Sequence, residues 1–303
     1  MITVSLMGGL GNQMFQYAAG KALARRNGVA LALDVSGFKQ DVLRSFLLDR
    51  LNVPESHSTV SVETVEKADE KFARAKWKGR INRLLGRARL PRLAAASNEY
   101  REPHLHYDPA FETLGPDTSM FGYFQSERYF ASIASSLSEW FSPREPLGSK
   151  AAETLARIQR SALPVSVHVR RGDYLNPGTT EFHGIIGEPY YREALGRIKS
   201  SVGDSADFFI FSDDAAAAAQ LLKFVPASRL NHVHGDPDRP WEDLVLMASC
   251  RHHVIANSSF SWWGAWLNRS SDKCVIAPRG WFAPAHLIKL NTDDLLPRDW
   301  IRI

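Results

Sequence analysis

With 303 residues the chain is long enough for two domains of about 150 residues or one large α/β unit, and its 44% hydrophobic and 23% charged content is that of an ordinary globular protein. This excludes a disordered or collagen-like chain, while a net charge of +4 is compatible with an anionic ligand and discriminates little. The two cysteines, Cys250 and Cys274, have neither metal-ligand spacing nor the density of a disulfide framework, so reduced thiols are expected. The first residues lack the basic start and apolar run of a signal peptide, and no apolar stretch is long enough to span a bilayer. A cytoplasmic location is therefore expected.

In chain order, residues 2–6 read as a strand, 7–13 as a glycine loop, 14–26 as a helix and 29–34 as a second strand. Gly9 and Gly11 after a strand, with Asp34 ending the next, invite a dinucleotide-binding reading; Met14 in place of the third glycine weakens it. A glycine turn that only permits a tight bend is the plain alternative. Asn12 and Gln13 put two polar amides at a helix N-terminus, where backbone donors already converge.

A short helix is expected over 42–51. Residues 71–92 are then rich in Lys and Arg without an acidic residue, with Trp77, Ile81, Leu84 and Leu85 at helical spacing. Such a stretch suits an anionic membrane surface or an acidic partner, and equally a solvated helix face packed by its apolar side; no nucleic-acid module accompanies it. Residues 105–122 are loop-like, 120–126 read as an aromatic-glycine strand and 129–140 as a helix ending before Pro143. The domain junction is placed here, giving units 1–148 and 149–303.

The second unit alternates. Strands are expected over 165–169, 207–212, 229–233, 253–256 and 273–277, and helices over 151–159, 189–200, 214–223, 240–250 and 259–267. The alternation implies a parallel sheet covered on both faces, whose ligands sit at the carboxyl ends of the strands. Those ends carry the most polar segments of the unit. Arg170 and Arg171, followed by Gly172 and Asp173, form a grip for a diphosphate. Asp213 and Asp214 fit either an N-cap with a first-turn carboxylate or acceptors for a nucleobase edge such as guanine. Asn257, Ser258 and Ser259 can hold phosphate oxygens at a strand-to-helix turn, with Trp262 and Trp263 read as core. Asp236-Pro237-Asp238 spells the acidic pair of metal-dependent sugar transferases, but its composition is that of a turn, and adjacent His252 and His253 point to opposite faces of a strand. No metal is expected.

Four ordered blocks stand together: 8–17 (Gly-Gly-Leu-Gly-Asn-Gln-Met-Phe-Gln-Tyr), 168–174 (His-Val-Arg-Arg-Gly-Asp-Tyr), 211–214 (Phe-Ser-Asp-Asp) and 257–264 (Asn-Ser-Ser-Phe-Ser-Trp-Trp-Gly). In this order they resemble the bacterial α-1,2-fucosyltransferases of glycosyltransferase family eleven. The resemblance implies a GT-B-like α/β architecture, two Rossmann-like units with parallel sheets facing a cleft, the N-terminal one on the acceptor side and the C-terminal one binding GDP-fucose. It also implies inverting, metal-independent transfer to a galactoside, in O-antigen or capsular repeat synthesis. Carried over, Arg170 contacts the diphosphate, His168 and Asp213 or Asp214 the guanosine, and Ser258 and Ser259 phosphate oxygens. Asn12, in the loop of Gly9 and Gly11, lies beside the reacting sugar, and Arg171 supports the arginine loop. Asp173 is either a general base or an ionic partner of the arginines. With a lipid-linked acceptor, the 71–92 stretch would serve as a peripheral membrane contact.

Overall fold

The computed structural model describes residues 1–39, 41, 44–57, 98–171, 181–182, 184–287 and 290–303. The chain forms two compact units, Met1–Phe141 and Ser142–Ile303. Residues 142–148 belong to the second. There Glu242, buried near the start of a helix, accepts the Gly148 N–H and the Arg239 Nε–H, each at 2.7 Å. Arg239 in turn donates to the Pro146 carbonyl at 2.8 Å and pairs with Glu145 at 3.3 Å.

The first unit has β1 (Ile2–Ser5), α1 (Leu10–Arg26), β2 (Leu31–Asp34), β3 (Glu99–Arg101), β4 (Ser119–Phe121) and α2 (Ala134–Trp140). Its sheet is parallel throughout, in the order β2-β1-β4-β3. Helix α1 lies close on this sheet at Gly20, where a Cβ would stand 3.0 Å from Val4 and Leu31 side-chain atoms. The close helix–sheet approach that Met14 could not supply is thus made farther along the helix.

Three expectations for this unit change. Within 42–51 the described residues contain one 3₁₀ turn, Leu48–Arg50, rather than an α-helix. The segment before it is held by Gln13, which donates to the Ser45 carbonyl at 2.8 Å and accepts the Leu47 N–H at 2.9 Å. The expected 120–126 strand stops at Phe121: beyond it the Tyr123 and Phe124 N–H groups go to the Glu102 carboxylate at 2.7 and 3.0 Å, and Phe124 takes a left-handed φ of 53°. The expected 129–140 helix is broken: Glu127–Tyr129 and Ala131–Ile133 are 3₁₀ turns, and α2 follows.

The second unit has α3 (Ser149–Arg160), β5 (Pro164–Val169), α4 (Glu188–Val202), β6 (Asp207–Ser212), α5 (Ala215–Leu221), β7 (Leu230–His232), α6 (Pro240–Ser249), β8 (His252–Val254), α7 (Ser259–Leu267), β9 (Val275–Ala277), α8 (Pro284–Leu287) and β10 (Ile301–Arg302). The sheet order is β10-β9-β8-β5-β6-β7, all parallel. Strand β6 displays the period of two: Phe208 and Ile210 join the core under α4 and α5, while Phe209 and Phe211 join the one under α3 and α6. Helix α4 carries Pro189 at its start and stops at Gly203, whose φ of 99° suits glycine.

Candidate functional site

Strands β8, β5 and β6 are neighbours, so their carboxyl ends set residues 255–259, 168–171 and 212–214 side by side. Strand β5 is central and buried at all six positions. Val165, Val167 and Val169 pack against Tyr191, Ala194, Leu195 and Ile198 of α4, which turns Ser166 and His168 to the opposite face. There Ser166 Oγ lies 2.8 Å from His253 Nδ1, and the His168 ring is 6.2 Å from that of Phe260 on α7.

The end of β5 is tied down by its neighbours. Val169 pairs with Ser212, and the Ser212 hydroxyl donates to the Val169 carbonyl at 2.8 Å. Tyr191 Oη donates to the His168 carbonyl at 2.9 Å. One residue on, the Arg171 N–H donates to Asp213 Oδ1 at 2.8 Å, and Arg170 Nη1 meets Asp213 Oδ2 at 2.9 Å. A single carboxylate therefore fixes the backbone of one arginine and the side chain of the other. Asp214 is otherwise engaged: it is the N-cap of α5, accepting the Ala217 N–H at 2.9 Å.

His168 is buried, and its Nδ1 has no hydrogen-bond partner among the described residues. Burial first, and then the Arg170 charge, pushes its pKa down, with Asp213 opposing, so the ring is neutral at pH 7. A buried ring nitrogen left unsatisfied costs about 1–3 kcal/mol, a deficit that a ligand hydrogen bond removes.

On the other side of β5, Ser258 caps α7 by accepting the Phe260 N–H at 3.3 Å, and Ser259 opens the helix. Asn257 is buried and donates to the Trp281 carbonyl at 3.2 Å, which anchors the turn. Trp262 and Trp263 are core residues: both are buried, and Trp262 Nε1 donates to the Leu295 carbonyl at 2.9 Å. Gly264 lets α7 approach α6, since a Cβ there would stand 2.8 Å from Met247 Cβ.

In the first unit, Gly8 has a φ of +76°, Gly9 is the extended N-cap of α1, and Gly11 lies in its first turn. The Gly9 carbonyl accepts the N–H groups of Asn12 and Gln13 at 2.9 and 3.1 Å. Gln13 is fully buried and also donates to the Gly8 carbonyl at 2.9 Å, so its amide is structural. Asn12 is half-buried, and its Oδ1 accepts from Gln125 Nε2 at 2.8 Å.

The structure thus groups His168, Arg170, Arg171, Asp213, Asp214, Asn257, Ser258 and Ser259 on one edge of the second unit, and Gly9, Gly11 and Asn12 on one edge of the first. Asp173 and the 71–92 stretch lie outside the described residues. Tyr191 and Gln125, which position site residues, had no sequence signal beyond ordinary helix and loop character. Asp236 Oδ1 accepts the Asp238 N–H at 2.9 Å, a turn-closing contact within that acidic pair. His252 Nδ1 accepts the Cys274 N–H at 3.0 Å, while His253 lies between Ser166 and the Asn268 amide.

Two α/β units with parallel sheets define a GT-B-like fold. A FUT1 mutant of Arabidopsis thaliana in complex with GDP is similar in fold, with a TM-score of 0.53 and 12% identity over 94% of this chain and 72% of that one. The chain belongs to glycosyltransferase family 11, whose sequence pattern matches residues 96–303. It is a glycosyltransferase. An α-1,2-colitosyltransferase of Escherichia coli is 33% identical over 100% of this chain and 99% of its own length. The O-antigen biosynthesis glycosyltransferase WbnK, also of Escherichia coli, is 32% identical over 98% of this chain and 99% of its own. The galactoside α-(1,2)-fucosyltransferase 1 of Leontocebus fuscicollis is 26% identical over 86% of this chain and 63% of its own. No helix among the described residues is long and apolar enough to cross a membrane.

Proposed function

We propose that this protein transfers fucose from GDP-fucose to O2 of a galactoside, with inversion and without a metal ion, in the assembly of an O-antigen repeat. The observation that carries the reading is the β5–β6 edge, where Asp213 aims Arg170 beside the neutral, unsatisfied His168. As the bond from the fucosyl carbon to the diphosphate breaks, charge grows on the leaving phosphate. Arg170 binds that charge more strongly in the transition state than in the ground state, which lowers the barrier. In this reading His168 meets the guanosine, and Ser258 and Ser259 meet phosphate oxygens at the start of α7. Asn12, oriented by Gln125, lies beside the reacting sugar.

The colitosyltransferase relative supports a second donor reading. Colitose is fucose without its 3-hydroxyl, so the same diphosphate grip would serve both sugars. Incubation with GDP-fucose, GDP-colitose, GDP-mannose and a UDP-sugar, each with a panel of galactosides, followed by linkage analysis, separates the donors and identifies the product. Acceptor-dependent release of GDP with a 1→2-linked fucoside is the expected result. Tight GDP-fucose binding with no turnover on any galactoside would make the protein a nucleotide-sugar binder instead. The proposed peripheral membrane contact of residues 71–92 rests on their charge, and failure to float with anionic liposomes would remove it.

A further inference from the structure

We infer that Tyr190 and Tyr191 are positioning residues for diphosphate binding: from the first turn of α4 they set the width of the crevice between the arginine strand end and the serine turn. This rests on the donor reading proposed above and adds a specificity determinant that the four sequence blocks do not contain.

The crevice lies where the winding of the sheet reverses. From β5 the chain steps outward to β6 and β7, then returns to the other side of β5 for β8, β9 and β10. In an open parallel sheet such a reversal leaves a gap outside the carboxyl ends of the two strands, the usual place for a ligand. Here Val169 leads to Arg170 on one lip, and Val254 leads through Ile255 to Asn257, Ser258 and Ser259 on the other. Both lips belong to the second unit. Helix α4 packs against both strands, since Ala194, Leu195 and Ile198 share one core with Val167, Val254 and Ile276.

The two tyrosines hold one lip each. Tyr191 Oη donates to the His168 carbonyl on β5 at 2.9 Å. Tyr190 Oη donates to the Ile255 carbonyl, just past β8, at 2.6 Å and is shared with the Ile276 carbonyl of β9 at 3.1 Å. The sequence explains why a side chain is needed there. His253 faces Val275 in the parallel ladder, and the Ile255 N–H donates to the Ile276 carbonyl at 2.9 Å, so the N–H that the Ile255 carbonyl would next accept belongs to residue 278. That residue is Pro278, which has no N–H. The ladder therefore ends at Ile255, and Tyr190 supplies the donor that the neighbouring strand lacks. Beyond this point the backbone turns away, and Asn257 anchors it at the Trp281 carbonyl.

The rings of Tyr190 and Tyr191 meet edge to face with centroids 5.0 Å apart, which keeps the two hydroxyls at a fixed spacing. Burial pushes the pKa of both up, so both remain donors at neutral pH. A monophosphate can be held from one lip. A diphosphate has to be met from both, by Arg170 and by the serine turn, and it gains affinity when the lips already stand at the right separation.

The test is calorimetric titration of Tyr190→Phe and Tyr191→Phe with GDP and with GMP; each substitution removes a hydroxyl and keeps the ring. The expected result for each is a fall in GDP affinity of about tenfold, with GMP affinity within about twofold of the parent. The preference for diphosphate then narrows, whereas a purely structural role would lower the melting temperature and leave the ratio of the two affinities unchanged. A parent-like ratio in either folded variant overturns the paired assignment. If Tyr190→Phe does not fold, Tyr191→Phe decides by the same ratio. A parent that binds GMP as tightly as GDP has no diphosphate cradle and also overturns it. A parent that prefers UDP to GDP refutes the donor reading alone, and the same comparison is then made with UDP and UMP.

Discussion

Asp213 holds Arg170 by its side chain at 2.9 Å and Arg171 by its backbone at 2.8 Å, one carboxylate oxygen for each. The Arg170 and Asp213 side chains are 24% and 25% exposed, so the pair itself adds little stability, about 0–1 kcal/mol. Its consequence is positional: the guanidinium is held at one place on the sheet edge. Arg170→Ala should lower turnover about 10²-fold or more, as removal of other oxyanion donors does. Arg170→Lys should recover only part, because an ammonium keeps the charge but lacks the planar fork. Asp213→Asn should lower turnover less than Arg170→Ala and shift the urea midpoint little. Steady-state kinetics of the three variants check the order; equal turnover in Asp213→Asn and the parent would show that Arg170 needs no such hold.

His168 gives a prediction about donor binding. Its Nδ1 is buried and unsatisfied, and a neutral ring can still offer one hydrogen bond to a ligand. His168→Phe should keep the fold, since the site is apolar on the Phe260 side, and weaken GDP by about 1–2 kcal/mol, roughly tenfold. Calorimetric titration with GDP measures this. Unchanged affinity would mean that the orphaned nitrogen is only tolerated.

The legible parts of the chain were those whose burial is set by local pattern. In the second unit, 207–212 and 259–267 match β6 and α7 at both ends, because an apolar strand between polar turns and a helix with a Ser cap are local signals. The two-residue β10 carries no such signal. In the first unit, partners distant in sequence decide the structure. Gln13 binds residues 32 and 34 positions away, and Glu102 captures N–H groups that would have continued β4. The site divides in the same way. The arginine pair, the aspartate pair and the serine turn could be read as strand ends, but the Asp213–Arg170 bond joins separate strands and no spacing reveals it.

His253 predicts an acid sensitivity of the fold. It is fully buried between Ser166 and Asn268, and burial pushes its pKa down to about 3, with the charges of Lys273 and His252 adding to the fall. The unfolded chain binds a proton at the ordinary value of about 6.5, so between the two values unfolding takes up a proton. Stability is therefore full above about pH 6.5 and falls as pH drops toward 3, by up to about 1.4 kcal/mol per pH unit for this group. Urea midpoints of the parent and His253→Gln at pH 7.5 and pH 5 measure it. The variant should be weaker at pH 7.5 and lose less on acidification; an equal loss in both would assign the acid sensitivity elsewhere.

The two glycines before α1 should behave differently although they are adjacent. Gly8 has a φ of +76°, and a Cβ there would stand 2.7 Å from Asn12 Nδ2. Gly8→Ala should therefore cost roughly 1–2 kcal/mol for the left-handed backbone and displace Asn12 as well. Gly9 has a φ of −73°, and its Cβ would meet no atom of the described residues within 4 Å. Gly9→Ala should fold as the parent does, within about 0.5 kcal/mol. A methyl group at this position is then a probe of ligand approach rather than of packing. If the sugar comes close to this loop, as proposed, Gly9→Ala loses transfer while keeping its melting temperature and its GDP affinity. Transfer at the parent rate would remove Gly9 from the donor site and leave Gly8 as the glycine that the loop requires.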